Sequence, residues 1–303
     1  MSDIPANVLN ELFVEKLSDT EGREKLAQEG SAFIRTKLRE VSFARKIINP
    51  QYVTKADLQR SVNHDGLVKI VDIEPDSAAM AVNFRGQADF RYVEGERYEI
   101  PFFMISSEEF QKTEEELLAY EMPITEVLER NSVKDIQEIE DSAFISRINA
   151  AITTTSKSTS TTTTGGYVEK KVFTTLFNLL ESTSSDKLKT ETLLMNNQDY
   201  NELLLWEATS VGDQIASEIT INGFTYASIL GKKVIVTNKK DLVPPKTMYA
   251  FAPQEFLGKY YILNDTKFWI EKKRNLVTWS AYETIGMGIG NLRAAAKISW
   301  TAA

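Results

Sequence analysis

The stretch VKDIQEIEDSAFISRINAAI (133–152) places Val133, Ile136, Ile139 or Glu140, Ala143 or Phe144 and Ile148 at steps of three to four residues. Lys134, Asp135, Glu138, Asp141 and Arg147 fill the gaps, which is the period of an amphipathic helix. About five turns at 1.5 Å per residue give a rod on the order of 30 Å. A strand-rich segment (67–105) precedes it and a Ser/Thr run (153–166) follows it. Neither reads as the interior of a compact globule, so the helix reads as a spine between parts.

The remaining numbers bound what the parts can be. At 303 residues, 42% hydrophobic and 26% charged, the chain can fold as one large or two ordinary domains. It has no cysteine and one histidine, His64, which leaves out disulfides, thiolate metal sites and multi-histidine metal sites. No run reaches the roughly 18–20 apolar residues of a membrane helix, and MSDIPANVLNELF lacks the basic start and apolar core of a signal peptide. Cytosol-like folding conditions and no membrane partner are the expectation.

The net charge of −8 argues against a wholly basic, nucleic-acid-coating surface. It is unevenly spread. Arg35, Lys37, Arg39, Arg45, Lys46, Lys55 and Arg60 crowd 35–60, whereas Glu94, Glu96, Glu108, Glu138, Asp141 and their neighbours make 94–141 acidic. Either run can be a solvated face; alternatively the basic arm of one chain lies on the acidic segment of another.

In chain order, 4–17 reads as a short amphipathic helix and 20–48 as a second, ending at Asn49-Pro50. LVKIVDIEP (67–75), AMAVNFR (79–85) and DFRYVEGERYEIPFF (89–103) alternate as strands of a charged ribbon whose tip carries Arg85, Asp89, Arg91, Glu94, Glu96 and Arg97. Such a ribbon has too few apolar residues to stand alone and needs a neighbour to lie on. Short helices are expected at 108–120 and 124–130, and a mobile polar loop at 153–166. Short helices alternate with the buried-type strands TLLMN (192–196) and KKVIVTN (232–238), indicating an α/β unit over 168–262. The segments 268–275 and 276–290 then read as strands, with a last extended element at 291–300, returning to pair beside the helix.

No catalytic constellation emerges. Gly286-x-Gly288-x-Gly290 follows no βα unit and lacks the spacing of a dinucleotide fingerprint, so it reads as a strand with thin side-chain cover. There is no G-x-S-x-G, H-E-x-x-H, G-K-[ST] or calcium-loop pattern, and Trp206, Trp269, Trp279 and Trp300 read as packing residues. No enzyme activity, cofactor or metal is expected.

The order of parts, with LLMNNQDYNELL (193–204), GKKVIVTN (231–238), MYAFAPQEFLG (248–258) and TWSAYETIGMGIGNLRAAAKI (278–298), resembles the major capsid proteins of tailed double-stranded-DNA bacteriophages. The resemblance implies the α+β Johnson fold that this family shares with encapsulins. It implies an N-terminal arm (1–66), an extended E-loop hairpin (67–105), a peripheral P-domain (106–184 and 263–303) and an axial A-domain (185–262). It further implies self-assembly into hexamers and pentamers, weak non-specific contact with packaged DNA, and scaffolding, portal and decoration proteins as partners. The expected location is the virion, with the host cytoplasm during assembly. Contacts between subunits are expected at Arg35, Lys37, Arg39, Arg45, Lys46, Arg85, Asp89, Arg91, Glu94, Glu96, Arg97, Glu138 and Asp141, and at Asn222 and Phe224 in the axial loops. Two departures matter: no lysine occurs between Lys69 and Lys112 for an isopeptide crosslink, and the short region before the arm implies a separate scaffolding protein or none. An encapsulin-type cargo shell is the alternative.

Overall fold

The computed structural model describes residues 42–73, 95–119, 124–182, 188–203, 228, 229 and 231–303, with single positions at 15, 81, 82, 86 and 92. The arm before Ser42, the ribbon tip with Arg85, Asp89, Arg91 and Glu94, Trp206, and the loop with Asn222 and Phe224 lie outside the described residues.

The described helices are α1 (Phe43–Ile47), α2 (Glu114–Ala119), α3 (Ile124–Thr155), α4 (Lys170–Glu181), α5 (Asn197–Glu202) and α6 (Gln254–Leu257). The strands are β1 (Gln51–Tyr52), β2 (Gln59–Arg60), β3 (Leu67–Asp72), β4 (Arg97–Ser106), β5 (Phe110–Thr113), β6 (Ser158–Thr163) and β7 (Thr192–Asn196). The remainder are β8 (Ser228–Ile229), β9 (Lys232–Thr237), β10 (Thr247–Phe251), β11 (Gly258–Lys273), β12 (Leu276–Ile289) and β13 (Ala295–Ala302).

The central helix is longer than its apolar period indicates: α3 runs for 32 residues, about 48 Å. It absorbs the expected helix at 124–130, while 110–113 is strand β5 rather than helix. Its end is set by three threonines. Thr153, Thr154 and Thr155 return their hydroxyls to the carbonyls of Asn149, Ala150 and Ala151, a bond that competes with the helix ladder. Ser156 then takes a positive φ of 55° and the helix stops.

The Ser/Thr run is not a loop. Ser158–Thr163 forms β6, parallel to β13 with Lys297 opposite Ser158 and Ala302 opposite Thr163. Its composition offers little apolar area, but the outer edge of β13 offers a row of backbone partners, and β-branched threonine suits a strand. Gly165 and Gly166, with φ of 66° and 74°, make the turn after it.

Two sheets frame α3. One has the order β1-β11-β12-β4-β3-β2, with β5 on the far part of β12; the other has the order β6-β13-β10-β7-β9-β8. The ribbon base is antiparallel, from Val68 opposite Pro101 to Asp72 opposite Arg97. The closing strands pair beside α3 as expected: β12 takes β4 and β5, and β13 takes β6. β13 also lies against β10, so residues 295–302 join the sheet that holds the strands of the α/β unit, and β11 runs unbroken through position 263.

β12 shows how sequence assigns the faces. Val277, Trp279, Ala281, Glu283, Ile285 and Met287 alternate inward and are all buried. On the other face Gly286, Gly288 and Gly290 have a function in packing. A Cβ on Gly286 would meet the Phe102 ring at 2.9 Å, one on Gly288 the Ile100 Cγ1 at 2.6 Å, and one on Gly290 the Tyr98 hydroxyl at 2.9 Å. Every second residue of β12 is thus missing a side chain where every second residue of β4 lays a large one. Trp279 and Trp300 are core residues, whereas Trp269 on β11 is 56% exposed.

Candidate functional site: a buried charged joint and the surfaces around it

The chain enters the described fold at Ser42, which ends the expected helix 20–48 by acting as an N-cap in extended conformation. Its Oγ lies 2.9 Å from Asp141 Oδ1 and 3.1 Å from Glu140 Oε1. The Ala44 amide donates to the same Asp141 oxygen at 3.0 Å. A carboxylate on one helix therefore takes the orphan donors at the start of another.

Arg45 follows one residue later and points into the core. Its Nε donates to Glu140 Oε1 at 2.9 Å and to Oε2 at 3.1 Å, and its Nη2 donates to Glu283 Oε1 at 2.8 Å. The second Glu283 oxygen accepts from Thr266 Oγ1 at 2.7 Å. On the far side, Lys239 Nζ donates to Asp141 Oδ2 at 2.6 Å and to the Gln137 carbonyl. Tyr260 and Phe43 line the joint, with Arg45 5.8 Å from the Tyr260 ring centre and Lys239 5.7 Å from that of Phe43.

Two cations thus meet three carboxylates inside the protein. Burial works against the Arg45 charge, but Glu140 and Glu283 hold its guanidinium above the ordinary arginine range. Burial raises Glu140 against the opposing pull of Arg45. Burial likewise pushes Glu283 up to about 7, with Arg45 opposing and Glu140 assisting. The arrangement has no nucleophile or open substrate space; what it does is fasten α1, α3, β11 and β12 to one another.

The structure sorts the expected contact residues. Arg45 and Asp141 are buried and engaged within their own chain, so their charges are not on the surface. Their apolar neighbours Phe43, Ala44 and Phe144 carry the segment inward. Lys46, Glu96 and Glu138 are exposed, and Arg97 is exposed while pairing with Asp72 across the ribbon at 2.7 Å. The exposed pair contributes little to stability. Ile139, expected among the inward residues, is 46% exposed, and Glu140 takes the inward place. Glu283 was overlooked by the sequence reading. Its signal is a carboxylate in the inward phase of β12, between Ala281 and Ile285.

No protein-family model and no curated protein matches the sequence. Solved structures do match. A chain from Gordonia phage Cozz aligns with a TM-score of 0.60 and 11% identity, over 87% of this chain and 87% of that one. The capsid of Myoviridae phage XM1 aligns with a TM-score of 0.55 and 11% identity, over 86% of this chain and 92% of that one. A virus-like particle from Pyrococcus furiosus aligns with a TM-score of 0.55 and 15% identity, over 92% of this chain and 100% of that one. The chain therefore has the α+β fold of phage capsid proteins.

Proposed function

We propose that this chain is the major capsid protein of a tailed phage, a structural subunit and not an enzyme. It assembles with its own copies into the pentamers and hexamers of an icosahedral head around double-stranded DNA. The observation that carries this reading is the extent of the likeness to the XM1 capsid chain, 86% of one and 92% of the other.

Fold alone does not specify function, and the protomer's surface supports the reading independently. Tyr52, Val62, Tyr92, Met104 and Trp269 are each more than half exposed, an unusual cost for a monomer and ordinary for a subunit whose neighbours cover it. On this reading the protein resides in the virion and assembles in the host cytoplasm. Contacts between subunits use Lys46, Glu96, Arg97 and Glu138 together with the arm, the ribbon tip and the axial loop. Scaffolding, portal and decoration proteins are further partners, and contact with DNA is weak and sequence-independent given the charge of −8. The second reading is an encapsulin-type cargo shell, favoured by the match to the whole of the Pyrococcus particle chain.

Negative-stain electron microscopy with sedimentation of the purified chain tests the proposal. Rings, tubes or closed shells are expected, and nucleic-acid content separates a phage head from a cargo shell. A chain that stays monomeric or dimeric even when its neighbouring genes are co-expressed would overturn both readings.

A further inference from the structure

Along α3 the inside-outside rule fails at adjacent positions: Glu140 is buried and Ile139 is 46% exposed. Ile139 sits with Asp135, Glu138 and Ser142 on the outer face of the helix. That face and the connection Ser106–Glu108 after β4 enclose an open depression of about 500 Å³. Glu108, Asp135 and Glu138 surround the apolar side chain with negative charge. Burial, Glu108 and Glu138 raise the Asp135 carboxyl against the opposing Lys134, so the carboxylates strain one another and the depression lacks enough positive charge.

The chain itself contains a segment of matching character. RTKLR (35–39) places Arg35, Lys37 and Arg39 at alternate positions beside Leu38, three cations and one apolar residue against three carboxylates and Ile139. We propose that the depression on α3 receives residues 35–39 of a second copy of this chain, the cations meeting Glu108, Asp135 and Glu138 and Leu38 covering Ile139. The inference rests on the shell-subunit reading.

Reach decides between copies. Ser42 is fixed on the inward side of α3 by Glu140 and Asp141, whereas the depression opens on the outward side. Arg39 lies three residues before Ser42, about 10 Å of extended chain. The path around a helix of 10–12 Å diameter is on the order of 20 Å. The chain's own stretch cannot place all three cations in its own depression; a neighbour's can.

The absence of cysteine makes paired thiols a clean probe. Lys37→Cys chains mixed with Glu138→Cys chains before assembly and treated with a short bismaleimide should give a covalent dimer. Lys37→Cys mixed with Lys170→Cys, at the exposed start of α4, should give none. An internal link within the Lys37→Cys/Glu138→Cys double variant, without dimer, would overturn the assignment to a second copy. Normal shells by microscopy with no crosslink in the first mixture would overturn the docking site and leave the shell reading intact. Loss of both crosslink and shells in the variants and the parent chain, with neighbouring genes co-expressed, would overturn both together.

Discussion

Arg45 and Glu283 stand 238 residues apart in sequence, yet Nη2 of the first donates to Oε1 of the second at 2.8 Å in the protein interior. The bond links the segment entering at Ser42 to the middle of β12, with Glu140 of α3 between them. A buried ion pair is weak evidence of net stability, but removing one member strands the others. Arg45→Met should therefore destabilise the chain by about 3–5 kcal/mol, read as a lower urea midpoint at unchanged slope. Adding Glu140→Gln and Glu283→Gln should recover part of that loss. A triple variant no more stable than Arg45→Met would show that the three side chains do not act as a unit.

The same cluster predicts a pH dependence. Burial pushes Glu283 from 4.5 up to about 7 and Asp199 from 3.8 up to about 6. In that window the folded chain holds protons that the unfolded chain has released. Stability therefore falls as pH rises from about 4.5, and the fall ends once pH passes the folded values. One fully linked proton contributes about 1.4 kcal/mol per pH unit. Glu283→Gln should flatten the upper part of the curve and Asp199→Asn the lower part. Denaturant unfolding at intervals between about pH 5 and 8 reads this, and an unchanged slope in Glu283→Gln would place the proton elsewhere.

The glycine ladder predicts a coupled pair. Gly288→Ala puts a Cβ 2.6 Å from Ile100 Cγ1, and Ile100 is fully buried, so the side chain has little room to retreat. A cost of about 1–3 kcal/mol is expected. Ile100→Ala costs stability by itself through the cavity it leaves. Combined, the two changes should cost less than the sum of their separate effects, because the new methyl occupies space that Ile100 vacated. Strict additivity in thermal or urea unfolding would mean that β12 shifts away from β4 instead.

These positions show what the sequence makes legible. Alternation on β12 and continuous apolarity in β7 and β10 are local signals of strands buried on one face or both, and they read correctly. β6 was unreadable in the same terms. Ser158–Thr163 gains its order from the backbone of β13, more than 130 residues away, and no side-chain pattern announces that partner. The joint was half legible: Ser42 before an apolar turn and Glu140 within the helical stripe are visible in the sequence. That Arg45 faces inward depends on Glu283 arriving from the other end of the chain. Charge density alone points to a surface arm, and for Arg45 the long-range pairing wins.

Lys157 supplies a last test, because it joins two elements that local patterns describe separately. It sits between α3 and β6, largely buried, with its Nζ donating to the carbonyls of Leu179 at 3.0 Å and Leu180 at 2.8 Å. Those carbonyls belong to the last turn of α4, where helix geometry leaves acceptors unpaired and favours a positive charge. Lys157→Met keeps the length and the apolar stem but leaves the acceptors buried without that donor. The expected cost is about 2 kcal/mol. Amide hydrogen exchange should rise in the last turn of α4 and at the start of β6, where the Lys157 carbonyl also accepts from the Lys297 amide at 2.9 Å. If exchange rose in α4 alone, β6 would be held by β13 without help from this lysine; if it rose in neither, the cap would be dispensable.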